Sequence, residues 1–306
     1  MFAIQPYQHA LHAQVVVDFF NLCHARDPSQ FGLTPTRWQQ FVAEPSRAMG
    51  RDFRLAWDGT QLVGMAYCAL EDQPGGAMRY GRILVHPDWR RRGIASAIWQ
   101  QLSALDGGRY GFECTCPVDW QAGLAFAQRC GFGEQSRELE MRRSLSDADR
   151  VPTCSPVRAL RRDDAADALA WREISNAAYA SHQPPVSLLD AADIAARLAN
   201  PTLSLGFIEQ AGVPLGLIQW ENDSESHAYL NSVALLPSAQ GRGLAGELLR
   251  WALGEMRAQG LARVELTVSM HNHAARQLYT RHGFQPYAET VYLHRPATTG
   301  IPSTAG

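Results

Sequence analysis

From Tyr229 to Met256 the chain reads Y-L-N-S-V-A-L-L-P-S-A-Q-G-R-G-L-A-G-E-L-L-R-W-A-L-G-E-M. An apolar run of strand length containing Val233, Ala234 and Leu235 stops at Pro237 and turns into a helical pattern. Leu244, Leu248, Leu249, Ala252, Leu253 and Met256 share one helical face, so Gly243 falls at the helix start. That position suits a phosphate. Unpaired N–H groups and the positive end of the helix dipole point outward there, and glycine lets an anion approach the main chain. Gln240, Gly241, Arg242, Gly243, Leu244 and Ala245 form the turn, with Arg242 adding fixed charge. A strand, a glycine turn and an amphipathic helix also occur as plain scaffold in any α/β protein. No Lys-Ser/Thr follows the glycines as a P-loop requires, and the glycine spacing is not that of a dinucleotide fold.

The pattern occurs twice. Residues 83–105 read I-L-V-H-P-D-W-R-R-R-G-I-A-S-A-I-W-Q-Q-L-S-A-L, placing Ile83 and Val85 on a strand and Arg90, Arg91, Arg92, Gly93, Ile94 and Ala95 in a second turn. Pro87 and Pro237, Arg90 and Gln240, Gly93 and Gly243, and Ala95 and Ala245 are each 150 positions apart. A repeat this long marks a duplicated domain, since solenoid periods run roughly 20–50 residues.

Gln240-x-x-Gly243-x-Ala245 and Arg90-x-x-Gly93-x-Ala95 resemble the acetyl-CoA pyrophosphate loop of the GNAT superfamily of N-acetyltransferases. Downstream, V-S-M-H-N-H-A-A-R-Q-L-Y-T-R-H-G-F resembles that family's second signature, with Asn272, Ala275, Tyr279, Gly283 and Phe284 at the matching positions. The resemblance implies acetyl-CoA as cosubstrate, with these residues along its pantetheine arm and thiol. It also implies an oxyanion donor among the strand N–H groups near Val233 to Leu235. Read without the resemblance, Asn272 fits a helix N-cap, and Tyr279, beside Ala275 and Leu278, fits a core face.

Amide formation from a thioester needs a proton for the leaving thiolate, whose free pKa is about 8.5, and a base for an amine of lysine-like pKa about 10.4. Tyr279 is the expected general acid. For the base the sequence departs from the family: Tyr229 and Asn231 stand where relatives often carry Glu or His. The turn from Glu221 to His227 offers Glu221, Asp223, Glu225 and His227, with Glu221 and His227 as leading candidates; a solvated hairpin tip is the plainer reading. As a group, these acidic residues would attract a cationic acceptor. In the first half the Tyr279 position holds Ala127 and the Asn272 position Trp120, so that half lacks a general acid.

These residues are carried by an element order that both halves follow: strand, two helices, three meander strands, helix, strand, helix, strand. The expectation is an α+β fold of two tandem GNAT-like domains, each a mixed, mostly antiparallel sheet flanked by helices. Residues 1–145 form the first domain, 146–156 a linker, 157–296 the second, and 297–306 a disordered tail. Each half is expected to close with its own last strand, Glu138–Arg143 and Glu289–Arg295. A chain of 306 residues holds about two domains on general grounds.

With 28 basic and 30 acidic residues the formal charge is −2, and nucleic acid is not an expected partner. The Val15–Phe20 apolar run is too short to span a membrane, and the N-terminus lacks a charged leader, so a cytoplasmic protein without membrane association is expected. The six cysteines show no disulfide or zinc spacing. His9-x-x-His12 and His271-x-His273 lack a third ligand, and no metal is expected. The resulting reading is an acetyl-CoA-dependent N-acetyltransferase acting on a small-molecule or peptide amine, active in its second half. Its rivals are a CoA-binding sensor without turnover and a protein N-terminal acetyltransferase.

Overall fold

The computed structural model describes residues 2–26, 33–43, 47–72, 76–180, 188–222 and 224–298. The loop expected at 27–35, the turn at 74–76 and the start of the helix expected at 187 lie wholly or partly outside that set, as do Asp223 and residues 299–306. The chain divides into two compact units, Met1–Ser136 with Val291–Gly306, and Arg137–Thr290. This differs from the expected halves. The strand that ends each half in sequence contributes most of its length, or its last residues, to the other unit.

In the first unit β1 (Ala3–Pro6), β2 (Phe53–Asp58), β3 (Gln61–Glu71), β4 (Met78–Val85) and β5 (Gly111–Pro117) follow one another across the sheet. All neighbours are antiparallel except β4 and β5. Two helices, α1 (His9–Arg26) and α2 (Pro35–Ala43), bring Val16, Phe19 and Trp38 against Phe53 and Leu55 in one core, with the short α3 (Met49–Asp52) leading into β2. On the other side α4 (Ile94–Ser103) buries Ile94, Ile98 and Leu102 against Val63 and Ala66. Gly64 permits this approach, since a Cβ there would stand 2.7 Å from Ile94. Next, α5 (Gln121–Arg129) packs Ala127 with Cys116, Val291 and Leu293, the last two from the C-terminal strand β12 (Gln285–Arg295).

The second unit runs β6 (Gly133–Ser144), β11 (Arg263–Ser269), β10 (His227–Leu235), β9 (Val213–Asn222), β8 (Leu203–Gln210) and β7 (Val157–Ala159). Only β10 and β11 are parallel. One face carries α8 (Leu244–Ala258) and α9 (His273–Arg281), whose Leu248, Leu249, Ala252, Met256 and Tyr279 join Val264, Leu266 and Val268 in the main core. The opposite face carries α6 (Ala165–Tyr179) and α7 (Ala191–Leu198), with Trp171, Ile174 and Ile194 on Leu205, Phe207 and Leu217. The period of two along β11 produces this division, alternate residues pointing to α8 and α9 or away from them. Asp190 and Asp193 form a reciprocal capping box that starts α7 at Ala191, four residues after the start expected at 187.

The stretch expected to be a linker is docked. Asp147 pairs with Arg257 at 2.6 Å, and a Cβ on Gly254 would lie 2.3 Å from the Val151 nitrogen, so glycine there lets this segment lie against α8. Part of the expected tail is also tied down: the Thr298 amide donates to the Gly108 carbonyl at 3.0 Å.

Candidate active site

Parallel strands β10 and β11 pair only from His227–Tyr229 to Arg263–Glu265. Beyond Tyr229, β10 keeps its ladder to β9 as far as Leu235 while its other edge has no strand partner. A wedge therefore opens there, and Val233, Ala234 and Leu235 lie along it. The register to β9 shifts between Leu230 and Ser232, a bulge that re-aims the strand where the wedge begins. In the first unit β4 and β5 likewise pair only from Met78–Tyr80 to Gly111–Glu113, which leaves Ile83 and Val85 on an open edge. There the ladder of β4 to β3 runs without a shift.

At the end of β10, Pro237 starts a single 3₁₀ turn and the chain enters α8 through Gly241 (φ 73°) and Gly243 (φ 79°). A Cβ on either glycine would meet nothing within 4 Å, so the inner face of the loop is open main chain. The first helical bond is Gly246 to the Gly243 carbonyl, at 3.0 Å, leaving the amides of Leu244 and Ala245 ahead of it without helical acceptors. This geometry fits a pyrophosphate group. The Gln240 side chain instead turns back to the Leu235 carbonyl at 3.4 Å, and Arg90 makes the same contact with Val85 at 3.5 Å, so both fasten the loop to the strand it follows. Arg242 donates to Gln210 at 2.6 Å. In the first loop Arg91 occupies the left-handed region (φ 64°) where the second has Gly241, while Gly93 (φ 81°) leads into Ile94 and Ala95, and Arg92 stacks over Trp89.

Tyr279 comes from α9 and is 8% exposed, with its ring tilted against Phe284 at 5.7 Å. Its hydroxyl makes no hydrogen bond to another described residue. Burial, reinforced by the nearby Tyr179 and Tyr229 phenols, raises its pKa well above the ordinary value of 10. Three phenols from α6, α9 and β10 thus converge. Tyr179 shares a hydrogen bond of 3.1 Å with Ser232 beside the bulge, and Tyr229 donates to Thr267 at 2.7 Å. Asn272 is the N-cap of α9: its Oδ1 accepts from the Ala275 amide at 3.0 Å. The matching positions in the first unit hold Trp120, which makes no side-chain cap, and Ala127, which is core.

Glu221 faces Tyr229 across the β9–β10 ladder, and His227 faces Arg263 where β10 and β11 still pair. Both lie at the closed end of the wedge. Sequence reading missed Tyr179, Ser232 and Thr267 on this site, together with Glu138, Glu140 and Glu265, whose charges act on the Tyr229 phenol. One signal for part of this set exists in the repeat: Glu113-x-Thr115 on β5 and Glu265-x-Thr267 on β11 recur, and Tyr80 lies 3.5 Å from Thr115 as Tyr229 meets Thr267.

Two parallel-strand wedges, each followed by a glycine turn into a helix, define a tandem acetyltransferase fold, and comparison with known proteins agrees. The model of the acetyltransferase (GNAT) family matches residues 17–132 and 168–284, and the chain belongs to that family. It is 31% identical to a mycothiol acetyltransferase of Geodermatophilus obscurus, over 81% of this chain and 83% of that protein. It is also 29% identical to that of Frankia casuarinae, over 90% and 83%. Among solved structures, a GCN5-related N-acetyltransferase from Sphaerobacter thermophilus superposes with TM-score 0.77 at 16% identity, covering 98% of this chain and 97% of that one. A tandem GNAT protein from the clavulanic acid biosynthesis pathway gives 0.74 at 19%, covering 98% and 100%. The chain is an acetyl-CoA-dependent N-acetyltransferase. Among the described residues no helix is long and apolar enough to cross a membrane, and no group of three or more His, Cys, Asp or Glu side chains gathers as a metal site.

Proposed function

We propose that acetyl transfer takes place in the second unit and that its acceptor is a small-molecule primary amine of the kind used by mycothiol acetyltransferases. The observation that carries this reading is the buried Tyr279 phenol, unpartnered at a bulged wedge in one unit and replaced by the methyl of Ala127 at an unbulged wedge in the other. The amides from Gly241 to Ala245 hold the pyrophosphate of acetyl-CoA, and the open edge from Val233 to Leu235 supplies the donor for the carbonyl oxygen. Acetyl-CoA supplies the thioester; the chain's own residues position it and manage protons.

Tyr279 gives its proton to the departing sulfur. A phenol with a raised pKa is a reluctant acid in water, but the same dry surroundings penalise a thiolate, so the proton affinity of the sulfur rises as well. The first unit keeps its loop and wedge without a proton donor and serves as a CoA-binding or supporting module.

The test is acetyl-CoA-dependent thiol release across a panel containing the mycothiol acetyltransferase acceptor, aminoglycosides, amino acids and peptides. Turnover is expected with a small-molecule amine. Acetylation confined to peptide N-termini would overturn the acceptor assignment.

A further inference from the structure

We propose that the base for the acceptor amine is Glu138, on the strand β6 that the first half of the sequence contributes to the second unit. This rests on acetyl transfer occurring at the Tyr279 wedge. In the β6–β11 ladder Glu138 faces Ser269, Glu140 faces Thr267 and Arg142 faces Glu265, and Glu265 in turn faces Tyr229 on β10. Paired residues share a face, so these groups lie on the side of the sheet away from the Val264, Leu266 and Val268 core. The unpartnered Tyr279 hydroxyl approaches from α9, on the opposite side, and its nearest phenols are Tyr179 and Tyr229. Acidic strand positions and a buried proton donor therefore flank one opening from two sides, as amine attack and thiol departure require.

Position along the strands separates the three carboxylates. Glu265 sits at the last position of β11 that pairs with β10, 3.0 Å from Arg263, and accepts from Tyr287 at 3.1 Å. Glu140 accepts from Thr290 at 3.1 Å and lies beside the same Tyr287, whose ring carries Arg142 on its face. Glu138 lies furthest toward the open end, opposite Ser269, the last residue of β11 before the loop into α9. All three carboxylates raise the Tyr229 phenol, whose pKa is raised chiefly by burial.

The protons balance. As the N–C bond forms and the C–S bond breaks, the first ammonium proton goes to Glu138 and on to solvent. The second leaves the nitrogen as the amide forms and replaces the one that Tyr279 gives to sulfur.

The experiment is a pH profile of kcat/KM for the full chain, with the mycothiol acetyltransferase acceptor amine as probe. The native chain takes the ammonium form, so its rate is expected to be flat above the acidic limb. Glu138→Gln leaves only the free amine to react. The rate is then expected to drop about 10²–10⁴-fold at pH values well below the acceptor amine's own pKa and to climb about tenfold per pH unit toward that pKa, with acetyl-CoA affinity unchanged by calorimetry. Glu138→Asp, which keeps the carboxylate, and Glu140→Gln are expected to retain the plateau. A plateau in Glu138→Gln, or a loss equal at all pH values, overturns the assignment. Tyr279→Phe assayed in parallel separates this from the parent reading: if it is impaired while Glu138→Gln is not, only the base is wrong.

Discussion

Tyr279 is kept neutral because a phenolate in its place would lose hydration and gain two phenol neighbours. Its pKa is raised in the fold, so the proton is retained as pH rises through the usual phenol value near 10. The alkaline limb of the pH–rate profile is therefore expected above that value; inactivation with a midpoint at or below 10 would contradict a buried, protonated donor. The loop makes a separate prediction. Gly243→Val projects its side chain into space that is open in the structure, at φ 79°. The strain costs about 1–2 kcal/mol, seen as a modestly lower melting temperature, while acetyl-CoA binding by calorimetry is expected to be lost. Retained affinity would remove the pyrophosphate from this loop. Arg91 supplies the converse case, a side chain already in the left-handed region, and Arg91→Gly is expected to raise stability by about 1 kcal/mol. At this scale the sequence was most informative about the loops, because glycine spacing reports backbone conformation directly. It was silent about Glu138 and Tyr179, whose relevance depends on strand register and on a helix 53 residues distant from Ser232.

At the scale of elements, the duplication made α4, α8 and their preceding strands readable, since strand, proline, glycine turn and apolar-periodic helix recur with fixed spacing. The bulge in β10 was not readable, because one extra residue in an apolar run leaves no mark in composition. The segment that leads into α6 is held by a buried carboxylate that the sequence shows only as one more Asp. Asp167 is 1% exposed; burial raises its pKa, but hydrogen bonds from Arg158, the Arg161 side chain and the Arg161 amide, at 2.7–2.8 Å, outweigh that and hold it below the ordinary value. Its folded pKa is depressed, so the stability it contributes is present above the unfolded value of about 3.9 and is lost as pH falls toward the folded one. Asp167→Ala is expected to cost about 1–3 kcal/mol at pH 7, because it removes charge-assisted hydrogen bonds from Arg158 and Arg161, which keep Glu209 and Asp164. In urea unfolding from pH 7 to pH 3 the gap between native and variant chains should narrow; a gap constant with pH would mean the contribution is packing alone.

At the scale of the whole chain, the halves of the sequence are not the units of the structure. The pattern of strands identified two GNAT-like sheets, but no local feature says which sheet a terminal strand joins, since Met141 and Val291 are equally apolar. Met141 lies in the core of the second unit and Val291 in that of the first. A fragment beginning at residue 146 lacks the strand that pairs with β11 over seven residues, Glu138–Ser144, and is expected to lack a cooperative unfolding transition. A fragment of residues 130–290 is expected to show one. Cooperative folding of 146–296 alone would restore the boundaries drawn from sequence.

Confinement of chemistry to the second unit is tested most directly by steady-state kinetics of Tyr279→Phe beside calorimetry of acetyl-CoA binding. The substitution removes one hydroxyl that has no hydrogen-bond partner among the described residues, so folding is spared. The expected result is a fall in kcat of about 10²–10⁴-fold with acetyl-CoA affinity unchanged. Full turnover by Tyr279→Phe would place the proton donor elsewhere and contradict the account.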